Sequence, residues 1–156
     1  MHRGRIIGAT PLVLMVLAGS LVAQDEPFLG TWELNLAAST ITRGAPPRIE
    51  TIVNSTEPGG FRSLLALVGE KSTSVEIHHY RFDGGFHQTE GSDPRELSFK
   101  RVDQRTIEQD TRRSGTVTVH RHIELSRDGK TMTFTANGTT GAGQKYTNDI
   151  RVYEKK

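Results

Sequence analysis

From Phe28 onward the chain alternates apolar and polar residues with a period of two, the pattern of strands that bury one face. Phe28, Gly30, Trp32, Leu34 and Leu36 share one face of the first segment, opposite Thr31, Glu33 and Asn35. The alternation returns in Phe61, Ser63, Leu65 and Leu67, in Leu97 and Phe99, and in Val117, Val119, Ile123 and Leu125. Met132, Phe134 and Ala136 continue it, and Tyr146, Ile150 and Val152 close the chain. Turn-forming clusters such as Pro58-Gly59-Gly60, Asp83-Gly84-Gly85, Ser114-Gly115, Asp128-Gly129 and Gly138 to Gly143 punctuate these segments, at the spacing of a sandwich or barrel. No window of helical length shows a 3.6-residue apolar period, and Asn35 to Arg43 reads as either a turn of helix or a loop. The pattern predicts an all-β antiparallel meander of about ten strands. Such a meander removes its exposed edges most easily by curling into a barrel, here one of about 8 to 10 strands.

Ahead of the strands lies a different kind of segment. Arg3 and Arg5 precede an apolar run from Ile6 to Ala18 that only Thr10 interrupts with a polar side chain, and Gly19, Ser20 and Ala23 are small. That order is the order of a secretory signal peptide. The expected cut follows Ala23, with a cut after Ser20 as the alternative, leaving a domain of residues 24–156 that is exported, periplasmic or secreted. A membrane anchor is the rival reading, but the run falls short of the roughly 20 apolar residues of a spanning helix. Glycine and proline interrupt it as well. No stable membrane anchor is therefore expected.

Loss of Arg3 and Arg5 removes the net charge of +2 and leaves eighteen basic against eighteen acidic residues. A chain so balanced has no basic field to gather phosphates, so nucleic acid is not an expected partner. The sequence has no cysteine, which excludes disulfides, thiolate metal sites and a cysteine nucleophile.

Phe28-Leu29-Gly30-Thr31-Trp32-Glu33-Leu34-Asn35 resembles the opening of the lipocalin-like family of small exported bacterial proteins. Pro46-Pro47, Phe82-Asp83-Gly84, Ser98 to Asp103, Ser126 to Thr133 and Val152 to Lys155 resemble the same family in order, so the likeness spans most of residues 27–155. Gly30-Thr31-Trp32 is also similar to the Gly-x-Trp signature of lipocalins proper. There the tryptophan plugs one end of the barrel beneath a basic side chain from a late strand. The resemblance thus implies a barrel end built from Gly30, Trp32 and a basic residue, and an interior that holds a small apolar or amphipathic ligand. The chain departs from classical lipocalins in lacking their Thr-Asp-Tyr turn and terminal helix.

Arg121 is the candidate with the sharpest chemistry, being the one charge in register with Val117, Val119, Ile123 and Leu125. An isolated buried guanidinium is costly unless it is paired, stacked or wet. Three roles stand open: it covers Trp32, it grips an acidic head group in a cavity whose walls include Leu65, Val119, Ile123 and Phe134, or a bulge turns it outward. Arg151 is the rival cover for Trp32. His120 and His122 share a strand face, but Thr116, Thr118, Glu124 and Ser126 share it too, so an exposed pair is expected and no metal. His78 and His79 point to opposite faces. Gly141-Ala142-Gly143 sits between strands with no helix to receive a phosphate, as in a hairpin loop. No Gly-x-Ser-x-Gly, His-Glu-x-x-His or P-loop is present, and no cofactor is expected.

A binding protein is accordingly the favoured reading over an enzyme. The alternatives are a cavity-free structural or interaction module, and an unrecognised hydrolase or isomerase on the same barrel. Oligomeric state is not legible. Intact-mass analysis of the exported protein is expected to find a mature N-terminus near Gln24; recovery there with Met1 retained would contradict the signal-peptide reading.

Overall fold

A computed structural model describes residues 26–91 and 93–156; the signal segment 1–23 lies outside them. The described residues form eleven strands: β1 (Gly30–Leu34), β2 (Ile49–Glu57), β3 (Gly60–Val68), β4 (Thr73–Arg81), β5 (His87–Gln88), β6 (Glu90–Gly91), β7 (Glu96–Asp103), β8 (Thr106–Arg113), β9 (Thr116–Leu125), β10 (Thr131–Thr139) and β11 (Lys145–Lys155). Every pairing is antiparallel, in the order β5-β7-β8-β9-β10-β11-β1-β2-β3-β4-β6. The result is the expected all-β meander, curled into a nearly closed barrel. The two shortest strands, β5 and β6, come from one segment, His87 to Gly91, whose first half pairs with β7 and second half with β4. Hairpin chemistry is local: Ser114 (φ 47) and Gly115 (φ 80) both take positive φ in the β8–β9 turn, as a two-residue turn matched to strand twist requires. The ambiguous stretch after β1 is a single 3-10 turn, Leu36–Ala38, started by the Asn35 side chain accepting from the Ala38 N–H at 3.1 Å.

One end of the barrel is filled. Phe28, Trp32, Phe61, Phe99, Ile107, Ile123, Leu125, Met132 and Tyr153 are buried there and nearby. Rings stack from Phe61 to Tyr80 (4.2 Å between centroids) and from Tyr80 to Phe99 (3.8 Å). The second of these contacts joins β4 to β7, two strands that share no ladder of their own, so stacking holds the seam where backbone bonds do not. Trp32 has no exposed surface and donates its indole N–H to the Phe28 carbonyl at 2.9 Å.

The basic cover of Trp32 is Lys155, whose ammonium lies 5.1 Å from the ring centroid. Neither Arg121 nor Arg151 takes that place: both line the interior further along the barrel. Gly30 explains the substitution, since its φ is +114 and a Cβ there would stand 3.1 Å from the Lys155 Cε. With no side chain at Gly30 the lysine stem can lie across the ring. Arg101 seals the same end, with its guanidinium 4.3 Å from the Phe82 centroid and 2.5 Å from the Glu26 carboxylate.

Two irregularities decide which residues face inward. A register shift between Thr111 and Arg112 sets Val119 and then Val117 opposite them, leaving Val117 exposed. That bulge lies before Arg121, which stays in register with Gln109 and remains inside rather than being turned outward. On β11 a second shift, near Asn148 with its φ of 53, makes Asp149, Arg151 and Tyr153 the inward residues, in place of the expected Ile150 and Val152. Trp32→Ala should lower unfolding stability by about 3 to 5 kcal/mol, the usual range for deleting a buried large aromatic. Urea denaturation reads this; an unchanged midpoint in a folded variant would contradict burial of the ring.

Candidate functional site

Beyond the aromatic floor the barrel holds a cavity of ≈ 360 Å³ whose walls carry five arginines and four carboxylates among the described residues. Strand parity puts most of those charges inside, and loops bring Arg43, Asp93 and Arg95. On β4 the inward residues are Ser74, Glu76, His78 and Tyr80, while Val75 and Ile77 face out. On β2 Glu50 faces in, while Ile49 and Val53 are exposed. Thus β4 and the start of β2 carry apolar residues outside and charged or polar residues inside, the reverse of the usual strand pattern.

Each carboxylate in the cavity wall has an arginine. Glu50, almost wholly buried, accepts from Arg151 and, at 2.5 Å, from the Tyr153 hydroxyl. Asp149 accepts from Arg43 at 3.3 Å and from the Thr42 N–H at 2.8 Å, tying the β1–β2 loop over the mouth. Asp93 pairs with Arg113. Glu76 accepts two bonds from Arg95, at 3.1 and 2.6 Å, and one from His78 Nε2 at 3.0 Å. Burial pushes the Glu76 carboxyl up, but the bonds from His78 and Arg95 and the charge of Arg95 outweigh it and hold the group at about 2. Glu76 is therefore an acceptor only, so His78 carries its hydrogen on Nε2. Burial holds His78 below its ordinary 6.5, and its ring is neutral at pH 7.

Arg121 differs from these. Among the described residues it is the one cavity-lining arginine without a carboxylate partner. Its Nη1 donates to Gln109 Oε1 at 2.7 Å, Gln109 donates in turn to Thr111 Oγ1 at 2.9 Å, and the guanidinium lies 5.9 Å from the Phe134 centroid. Burial and the charge of Arg43 lower its pKa from 12.5, yet a guanidinium stays protonated in any protein at neutral pH. One neutral amide thus meets a full positive charge.

Of the residues expected around a ligand, Leu65, Val119 and Phe134 line this cavity with Arg121. Ile123 does not; it is packed into the filled end. Arg151 is a cavity residue held by Glu50 rather than part of the barrel end. His120 and His122 point outward, each against a carboxylate of β8: Asp110 at 2.5 Å and Glu108 at 2.7 Å. Glu76, His78, Tyr80, Arg95 and Gln109 belong to the cavity wall and were not anticipated. For Glu76 and His78 the signal lay in their strict alternation with Val75 and Ile77, once its polarity is inverted.

No family model, curated protein or solved structure matches this chain.

The carboxyl of Glu76 titrates near 4.5 unfolded and near 2 folded, so across that interval the unfolded chain binds the additional proton and stability falls as pH drops. His78 acts in the same direction below 6.5, because its folded pKa is the lower one. Glu76→Gln should be destabilised at pH 7 and should lose less than wild type between pH 4.5 and 2. Thermal melts across pH that run parallel for the two proteins would contradict this.

Proposed function

We propose that this is an exported lipocalin-like binding protein that encloses a small molecule with an acidic group and a short apolar body. The observation that carries the reading is the enclosed Arg121, a permanent cation with one amide for a partner. A charge removed from water must be solvated by something else. Water can serve in the free protein, and an anion serves better, since hydrogen bonds between charged groups contribute about 1.5 to 3 kcal/mol.

The rest of the wall fits such an occupant. Leu65 and Leu67 from β3 and Val119, Phe134 and Ala136 from β9 and β10 supply apolar wall, and the volume falls at the small end of the roughly 300 to 1,000 Å³ of small-molecule sites. A wholly apolar ligand would strip Arg121 of solvent and give nothing in return, which favours the amphipathic half of the sequence expectation. An interior simply filled with side chains would need no such cavity. Export rests on residues 1–23 and family membership on the resemblance of residues 27–155.

Calorimetric titration with phenylacetate and with 2-phenylethanol tests this. Phenylacetate should bind and the alcohol bind less tightly, and Arg121→Met should weaken the acid roughly tenfold to a hundredfold while the alcohol changes little. Failure of a folded wild type to bind any small acid would overturn the proposal.

A further inference from the structure

Two other polar atoms share the cavity with Arg121. His78 Nδ1 and the Tyr80 hydroxyl make no hydrogen bond among the described residues, although both residues are buried, at 5% and 4% exposure. Neither is sealed off. The fully enclosed side-chain atoms without partners are Asn54 Oδ1, Tyr146 OH and Arg151 Nε. The two atoms therefore have open space beside them, and both residues line the cavity. Arg121 lies near enough that its charge lowers the pKa of each.

Their hydrogen-bonding roles are set in advance. The Arg95–Glu76–His78 chain fixes the imidazole with its hydrogen on Nε2, directed at the carboxylate, so Nδ1 offers a lone pair to the cavity. Burial pushes the Tyr80 hydroxyl up to about 12, against the pull of Arg121, so it keeps its hydrogen and can donate. Its ring is clamped between Phe61 and Phe99 and cannot swing away without breaking both stacks. The cavity thus presents two fixed donors, the Arg121 guanidinium and the Tyr80 hydroxyl, and one fixed acceptor, His78 Nδ1.

An acid lacking a donor of its own would satisfy the first two and leave the imidazole lone pair without a partner on the ligand. A site built to receive a hydroxyl discriminates against the analogue without it, because the buried acceptor is then left unpaired. We infer that the ligand is a hydroxylated acid, its carboxylate held by Arg121 with help from Tyr80 and its hydroxyl donating to His78. This rests on the reading of Arg121 as the acid-binding group and adds the chemical class of the ligand to it.

The test compares phenylacetate with mandelate, 3-hydroxyphenylacetate and 4-hydroxyphenylacetate, which carry the hydroxyl at three distances from the carboxylate. At least one hydroxy acid should bind wild type about tenfold or more tightly than phenylacetate. His78→Phe should bring the ratio of hydroxy-acid to phenylacetate affinity down to about one, and His78→Gln, which keeps an acceptor, should retain part of the preference. The wild-type comparison needs no variant and stands even where His78→Phe fails to fold. If phenylacetate binds through Arg121 and no hydroxy acid exceeds it, this inference is overturned and the acid-binding reading survives. If no acid binds at all, both fall.

Discussion

A guanidinium cannot shed its proton to escape burial, as a lysine or a carboxyl can, so an arginine placed inside a barrel commits its surroundings to solvating a permanent charge. Five arginines line this cavity among the described residues, and the wall answers four of them with carboxylates. Arg43 meets Asp149, Arg95 meets Glu76, Arg113 meets Asp93 and Arg151 meets Glu50. The fifth, Arg121, meets Gln109 alone. Had it formed another matched pair, the interior would read as a polar core whose work is structural.

The same side chains that shape the cavity also close the barrel. No ladder joins β4 and β7, and what spans the seam is the His87 to Gly91 segment, the Tyr80–Phe99 stack and the Arg95–Glu76 pair. Glu76 thereby has two duties, fastening the loop before β7 to β4 and fixing the tautomer of His78. Tyr80 likewise stacks across the seam and turns its hydroxyl toward the cavity wall that Arg121 shares. Closure and recognition are consequently coupled. A change that loosens the seam disorders two of the three groups assigned to the ligand, whereas Arg121 sits on the continuous side of the sheet, between β8 and β10.

Much of the fold was legible in the sequence because its signals are short-range. Alternation marks the strands, Ser114-Gly115 and similar pairs mark the hairpins, and Trp32 with its neighbours marks the filled end. Arg121 was legible as the lone charge in register with Val119 and Ile123. Its lack of a partner was not, since the carboxylates it could have met lie on distant strands. The inward placement of Glu76 and His78 was not legible, because on β4 they alternate with Val75 and Ile77 and it is the apolar pair that faces out. The cavity positions of Arg151, expected instead over Trp32, and of Asp149 were not legible because the shift near Asn148 moves the parity of β11 by one residue, which no periodicity reveals. Lys155 over Trp32 depends on the room left by Gly30, a contact between the two ends of the described chain.

The most direct measurement of the central claim is ¹⁵N NMR of the arginine side chains during titration with 4-hydroxyphenylacetate, with the Arg121 resonance assigned from Arg121→Lys. With the carboxylate on Arg121, its Nε–H resonance moves and saturates with the ligand while those of Arg95 and Arg151, already held by Glu76 and Glu50, stay nearly still. Saturable shifts confined to Arg43 and Arg113 at the mouth, with Arg121 unmoved, would contradict it.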